Sequence, residues 1–145
     1  LEGLYFFGII ARKKGDYEKA INTFNTLINL ISGNPDFYAE RGLTYHSMKE
    51  HMLADDDFSK AIDLEPKNGY RYASRAFIRD FYKDYQGALQ DYDKAIELDP
   101  EDEIAYNNKG LIEEKLGYKE KAEKSFKKSN KIMFDTDSIR YYVNA

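Results

Sequence analysis

The sequence predicts an all-α fold, a solenoid of antiparallel helix pairs made of four repeats plus a C-terminal capping helix, and three observations predict it. First, the stretch LADDDFSKAIDLEP at 53–66 returns 34 residues later as GALQDYDKAIELDP at 87–100. The pairs Ala54/Ala88, Asp57/Asp91, Lys60/Lys94, Ala61/Ala95, Ile62/Ile96, Leu64/Leu98 and Pro66/Pro100 are identical. Self-similarity at a fixed period of this length marks stacked units that cannot bury their apolar faces alone. Second, the period extends in both directions without insertion. Ala20, Ala54, Ala88 and Ala122 fall in register, as do Phe24, Phe58, Tyr92 and Phe126, then Gly8, Gly42, Ala76 and Gly110, then Leu30, Leu64, Leu98 and Ile132. Third, apolar residues inside each unit recur at helical spacing. The units are 1–34, 35–68, 69–102 and 103–136, in a single repeat domain over 1–145, with a capping helix over about 137–144.

Each unit reads as two helices. In the first, the apolar run Leu4 to Ala11 builds the leading helix, and Lys14-Gly15-Asp16-Tyr17 is a turn. Glycine there accepts positive φ, and Asp16 is placed to cap the second helix. Ile21, Phe24, Leu27, Ile28 and Ile31 share one face of that second helix. In the second unit the helices are Phe37–Lys49 and Met52–Leu64, stopped by Pro66. The third carries helices over 71–82 and 86–98, ended by Pro100. The fourth carries 104–116 and 120–133, joined through Gly117. Beyond it, Asp135, Thr136 and Asp137 are candidate N-caps for a short helix whose Ile139, Tyr142 and Val143 share a face. Such a helix would cover the open end of the last unit, which a solenoid otherwise leaves bare.

The small residues have a packing task. Gly8, Gly42, Ala76 and Gly110 on the leading helices lie where the second helices cross, and Ala20, Ala54, Ala88 and Ala122 lie opposite. A large side chain at either set would push the helices apart. The aromatic of each second helix fills the adjoining space. Leu27, Ala61, Ala95 and Ser129 mark where the next unit docks.

Composition narrows the function. Cysteine is absent, so disulfide frameworks and thiolate metal sites are excluded. The formal net charge of −4, with signs interleaved, lacks the basic footprint of a nucleic-acid binder. Aromatic residues make up 15% of the chain and could stack on RNA bases, but most fall in the packing register. No apolar run is long enough for a membrane span. His51 and Asp55 stand four apart and could share a metal, yet two ligands are too few and the chain's other histidine is His46. There is no glycine-rich phosphate loop, no serine with a histidine in the geometry of a nucleophile elbow, and Glu113-Glu114 are helix neighbours that point apart. No catalytic residue, metal or cofactor is expected. Leu1 is not Met, and the short apolar start lacks the basic flank of a signal peptide. The chain therefore reads as a fragment. Its compartment stays open, with a cytoplasmic setting preferred.

Taken together, these residues resemble the tetratricopeptide repeat family. The second unit carries Tyr38, Gly42, Tyr45, Ala54, Phe58, Ala61 and Pro66, and the third carries Tyr72, Ala76, Ala88, Tyr92, Ala95 and Pro100. Units one and four are looser, with Ser32 and Phe134 in place of the proline and Ala11 and Glu113 in place of the tyrosine. Two departures stand out. Asp55 occupies an aliphatic place, read as a local loss of packing or a solvated edge. Arg41, Arg75 and Lys109 replace the family's leucine, and Arg41 with Asp57 and Arg75 with Asp91 are expected to form partly exposed ion pairs between the two helices of a unit, contributing ~0–1 kcal/mol.

The resemblance implies a right-handed superhelix whose concave side is lined by the leading helices, and a scaffold that holds a protein or peptide partner there. By that resemblance the groove residues are Tyr5, Ile9 and Arg12, then Ala39, Leu43 and His46, then Ala73, Phe77 and Asp80, then Asn107, Leu111 and Glu114, with Tyr70 and Ile104 at the rim. An aliphatic and aromatic floor with charges of changing sign suits an extended or helical peptide with apolar anchors. One subset of the family grips the C-terminal carboxylate of chaperone tails with a clamp of cations and an asparagine. The matching places hold Tyr5, Ile9, Glu40, Tyr70 and Ser74 or, one unit later, Ala39, Leu43, Ser74, Ile104 and Asn108. Neither set supplies cations, so no chaperone-tail carboxylate clamp is expected. The alternatives are a structural module that forms homo-oligomers through the uncapped N-terminal helix, where Leu4, Tyr5, Phe6 and Phe7 could dock on another copy, and a non-catalytic repeat domain of a larger protein.

Overall fold

The structure, a computed structural model, describes the backbone of residues 1–144 and the side chains of residues 1–136. Eight helices and no strand are found among the described residues: α1 Glu2–Lys13, α2 Tyr17–Leu30, α3 Pro35–Ser47, α4 His51–Leu64, α5 Gly69–Phe81, α6 Tyr85–Leu98, α7 Glu103–Lys115 and α8 Lys119–Asn144. Successive helices pair as α1/α2, α3/α4, α5/α6 and α7/α8, and the pairs stack through α2 on α3, α4 on α5 and α6 on α7. This is the all-α solenoid of antiparallel helix pairs that the period predicts.

Local chemistry sets the helix starts. Asn34, Asn68 and Asp102 stand at the same place in three units, before α3, α5 and α7. Their side chains accept the backbone N–H of Asp36, Tyr70 and Ala105 at 2.9, 3.0 and 3.1 Å. Each bond satisfies a donor that the helix itself leaves open. Asp84 does the same for Gly87 at the start of α6. Asp16, expected to cap α2, sits at the capping position without a side-chain bond to the backbone.

The turn inside each unit is left-handed at one residue. Gly15 and Gly117 adopt φ of 87° and 82°, and the equivalent Lys49 and Lys83 adopt 62° and 66°. The following N–H then reaches back five residues: Asp16 to Ala11 at 2.9 Å, Glu50 to Tyr45 at 2.9 Å, Asp84 to Arg79 at 2.8 Å and Tyr118 to Glu113 at 2.8 Å. Carbonyls at the helix end are thereby satisfied.

The core follows the repeat lattice. Ala20, Ala54, Ala88 and Ala122 are buried, and Phe24, Phe58 and Tyr92 are fully enclosed. A methyl group on Gly8 would stand 2.8 Å from the Phe24 ring, and one on Gly110 would stand 2.6 Å from Phe126. The small residues thus set how near the paired helices approach. Leu27, Ala61, Ala95 and Ser129 are buried as expected of the docking positions.

The ion pairs are deeper than the sequence suggests. Arg41 grips Asp57 through Nε and Nη2 at 2.9 and 2.7 Å, and Arg75 grips Asp91 through the same atoms at 2.8 Å each. Both aspartates are buried, at 4% and 3% exposure. Each arginine also reaches the previous unit's second helix, Arg41 to Asn25 and Arg75 to Ser59, both at 2.9 Å. Asp55 is not a solvated edge. It accepts from Arg79 at 2.8 and 3.2 Å, and Arg79 also donates to Asp91 at 3.1 Å. The acid in the aliphatic place of unit two is therefore matched by a cation in the next unit.

The C-terminal end differs from expectation. α8 runs from Lys119 to Asn144 without the break expected near Asp135–Asp137. Thr136, a candidate cap, instead donates its hydroxyl to the Ile132 carbonyl at 2.9 Å, a bond that fits inside a helix. The side chains of Ile139, Tyr142 and Val143, expected to cover the last unit, lie outside the described residues.

Candidate functional site

The leading helices α1, α3, α5 and α7 carry the residues that the sequence assigns to a groove. At its centre is a cavity of about 350 Å³ between α3, α5 and α7. Leu43, Ala73, Phe77 and Ile104 wall it, Phe58 and Tyr92 of the second helices lie beneath, and Ser74, Asn108 and Asp102 supply polar groups. Tyr70 is 70% exposed and Phe77 52% exposed, so one largely exposed and one half-exposed aromatic ring stand at its mouth. Ile104 and Leu111 are exposed on α7 beside them.

The remaining expected groove residues divide. Ala39 is only 8% exposed and belongs to the core with Tyr38 and Phe58, so it offers a partner almost no surface. Tyr5 and Ile9 are half-buried and pack against the cluster of Phe24, Leu27 and Phe37. The Tyr5 ring meets Phe37 at 5.7 Å and Phe24 at 6.5 Å. Arg12 is held by Glu40 at 3.1 Å and Asp80 by Lys115 at 3.0 Å. Asn107, Leu111 and Glu114 are exposed along α7. The groove is thus open at α5 and α7 and filled by its own side chains near α1.

His46 sits between these regimes. Its ring lies edge-on to Phe77 at 6.1 Å, to Phe81 at 4.7 Å and to Tyr82 at 5.7 Å. Its Nδ1 is buried with no hydrogen-bond partner among the described residues. Burial holds its pKa below the ordinary value of 6.5, so the ring is neutral near pH 7. The exposed Phe81 is not among the residues that the sequence assigns to the groove; its signal is a large apolar residue where units one, two and four carry Lys13, Ser47 and Lys115. His51, weighed as half of a metal pair, is exposed and lies 4.6 Å from the Tyr82 ring, while Asp55 is taken by Arg79.

Beneath the cavity, the Tyr92 hydroxyl is buried with no hydrogen-bond partner among the described residues. Burial pushes its pKa up to about 12, against a smaller opposite effect of Asn108 beside it. The phenol therefore keeps its proton at neutral pH, with Asn108 near it but in no hydrogen bond of good geometry.

A second cavity of about 970 Å³ adjoins the first, sharing Tyr70 and Asp102 with it. It lies along the loops before α5 and α7, where Glu65, Asp99, Glu101, Asp102 and Glu103 face one cation, Lys67.

Comparison with known proteins places this arrangement. The pattern described as "TPR repeat" matches residues 8–49 and 83–117, and that described as "Tetratricopeptide repeat" matches residues 35–68 and 104–132. A crystal structure of MamA superposes with a TM-score of 0.86 at 24% identity, over 94% of this chain and 80% of that one. The first TPR of Spaghetti (RPAP3), bound to the HSP90 peptide SRMEEVD, superposes with a TM-score of 0.71 at 25% identity, over 79% of this chain and 90% of that one. The Arabidopsis OM64 TPR domain gives a TM-score of 0.68 at 25% identity, over 78% and 93%. No curated protein matches by sequence.

Proposed function

The chain belongs to the tetratricopeptide repeat family, whose members are non-catalytic protein-interaction scaffolds, and from that premise we propose that it holds a segment of a protein partner in the groove between α3, α5 and α7. One observation carries this reading: the cavity of about 350 Å³ flanked by Tyr70 and Phe77, two aromatic rings left exposed by the fold. Exposed aromatics over an apolar hollow are the usual anchors of a peptide in a groove. The solved Spaghetti domain, bound to an HSP90 peptide, shows that a neighbour of this fold takes a peptide. In this chain the peptide reading centres on α5 and α7.

The clamp for a chaperone-tail carboxylate is not part of the proposal. Among the residues lining the central cavity the acidic or basic side chain is that of Asp102, and Arg12 further along is already held by Glu40. An acidic peptide such as SRMEEVD would meet repulsion rather than a cation. Calorimetric titration of that peptide is expected to show no binding, and micromolar binding lost on substitution of groove residues would overturn this.

The test of the groove itself is a pull-down from cell extract with the wild-type chain and Phe77→Glu. Phe77 is half exposed and its loss should leave the fold intact, which circular dichroism checks. Partners that depend on the groove should vanish with the variant. An unchanged partner set with an intact fold would sink the reading.

Self-association is the second reading. Phe6, Phe7 and Ile10 on α1 are exposed together, an apolar surface suited to another copy.

A further inference from the structure

The groove reading leaves open what kind of segment enters. Three observations bear on it. The central cavity is walled by apolar side chains and has no cation among its lining residues. It runs into the second cavity through Tyr70 and Asp102, which line both. That second cavity is acidic, and Glu101 and Glu103 are engaged by no ion pair among the described residues. Glu65 is partly neutralised by Arg71, and Asp102 makes no ion pair among the described residues while its side chain accepts the Ala105 N–H at the start of α7.

We propose that the joined cavities receive a peptide segment in which a bulky apolar residue is followed within two positions by Lys or Arg, the apolar side chain seated between Phe77 and Ile104 and the cation at the carboxylates of Glu101, Asp102 and Glu103. The inference rests on the groove reading of the previous subsection and adds the chemistry of its occupant. The apolar residue gains by leaving water. The basic residue meets a concentrated negative field on the rim, where charge selects the partner and speeds its arrival. The exposed Tyr70 ring between the two cavities offers its face to the same cation. The Tyr92 hydroxyl, in no hydrogen bond of good geometry in the fold, gains an acceptor if the segment brings a carbonyl oxygen to the cavity floor.

The test uses a displayed library of random dodecapeptides panned on the wild-type chain, Phe77→Glu and Glu101→Lys. Enriched peptides are then made with fluorescent labels and titrated by anisotropy. The expected result is a common apolar-then-basic pattern, with affinity about tenfold weaker for Phe77→Glu and also reduced for Glu101→Lys. Raising the salt should weaken the wild-type complex and narrow its difference from Glu101→Lys, since the rim charges are screened. Peptides that depend on Phe77 but carry acidic or neutral residues beside the anchor would overturn this inference and leave the groove in place. Peptides indifferent to Phe77→Glu, or no enrichment at all, would overturn the groove reading and this inference with it.

Discussion

Single residues show where charge, not apolar contact, joins the helices. Asp57 is buried and takes two donors from Arg41, so its removal strands a guanidinium whose side chain is only 22% exposed. Burial pushes the Asp57 carboxyl above its ordinary value, with the Arg41 bond pulling it back, and the same bond raises Arg41. Breaking a buried pair costs more than a surface pair contributes. Asp57→Ala should therefore lower unfolding free energy by about 2 kcal/mol in urea titrations, partial re-solvation of Arg41 keeping it below the fully buried range. A loss under about 0.5 kcal/mol would return the pair to the surface class. His46 gives a pH test. Its pKa in the fold lies below the unfolded value of 6.5, so the unfolded chain takes up a proton first as pH falls. Its neutral-state contribution is complete above that value and is lost as pH falls through it toward the folded value. The melting temperature should fall between about pH 7.5 and about pH 5.5, and His46→Phe should flatten that slope. An unchanged slope would mean other groups set it. The sequence showed Arg41 and Asp57 as partners because they repeat with Arg75 and Asp91 in register. It did not show their depth, since burial of an aspartate depends on what the neighbouring unit lays over it. Nor did it pair Asp55 with Arg79, because that contact breaks the repeat and links two different units.

At the scale of the element, the turn between paired helices carries the cost. All four units need one left-handed residue, and only units one and four supply glycine. Lys49 and Lys83 occupy the same backbone state with a Cβ that disfavours it. Lys49→Gly should raise stability by about 0.5–1 kcal/mol, read as a shift of the denaturation midpoint with an unchanged slope. Gly15→Ala should do the reverse by a similar amount. A neutral Lys49→Gly would mean that the flexibility added to the unfolded chain cancels the relieved strain. The helices themselves were legible because alanine, glycine and aromatic positions recur with their period intact. Their starts were less so. Asn34, Asn68 and Asp102 cap three leading helices, yet a capping side chain leaves no apolar periodicity to mark it. The end of α8 departs from the expected break for a physical reason: acids and Thr136 cap a helix only if the chain stops being helical there. Nothing in 133–137 forces that, since neither proline nor glycine occurs.

At the scale of the whole molecule, the same lattice tells which surfaces are covered by a neighbouring unit and which are not. The groove positions of α5 and α7 stay open because no second helix crosses them, and their residues vary from unit to unit. The resemblance to the repeat family, rather than the lattice itself, marked them as candidates. Which ones fold inward, as Ala39 does, depends on side chains two helices away. The first unit makes the contrast sharper. Thr44, Ile78 and Ile112 hold one position of the leading helix and are 0–1% exposed, because the preceding pair's second helix lies on them. Ile10 holds the same position in α1 and is 51% exposed, with Phe6 and Phe7 exposed beside it. An apolar face with the chemistry of a stacking surface supports the proposed self-association, in which another helix would cover it. A second copy reaching it with a different surface would make a head-to-tail contact, which adds copies rather than closing a pair. Light scattering over a concentration series should show mass rising beyond that of one chain. The double change Phe7→Glu and Ile10→Glu should return it to a monomer, with an unaltered helical spectrum. A wild-type mass that stays at 16.9 kDa at every concentration would eliminate self-association through this face and leave the groove between α3, α5 and α7 as the proposed surface still to be tested.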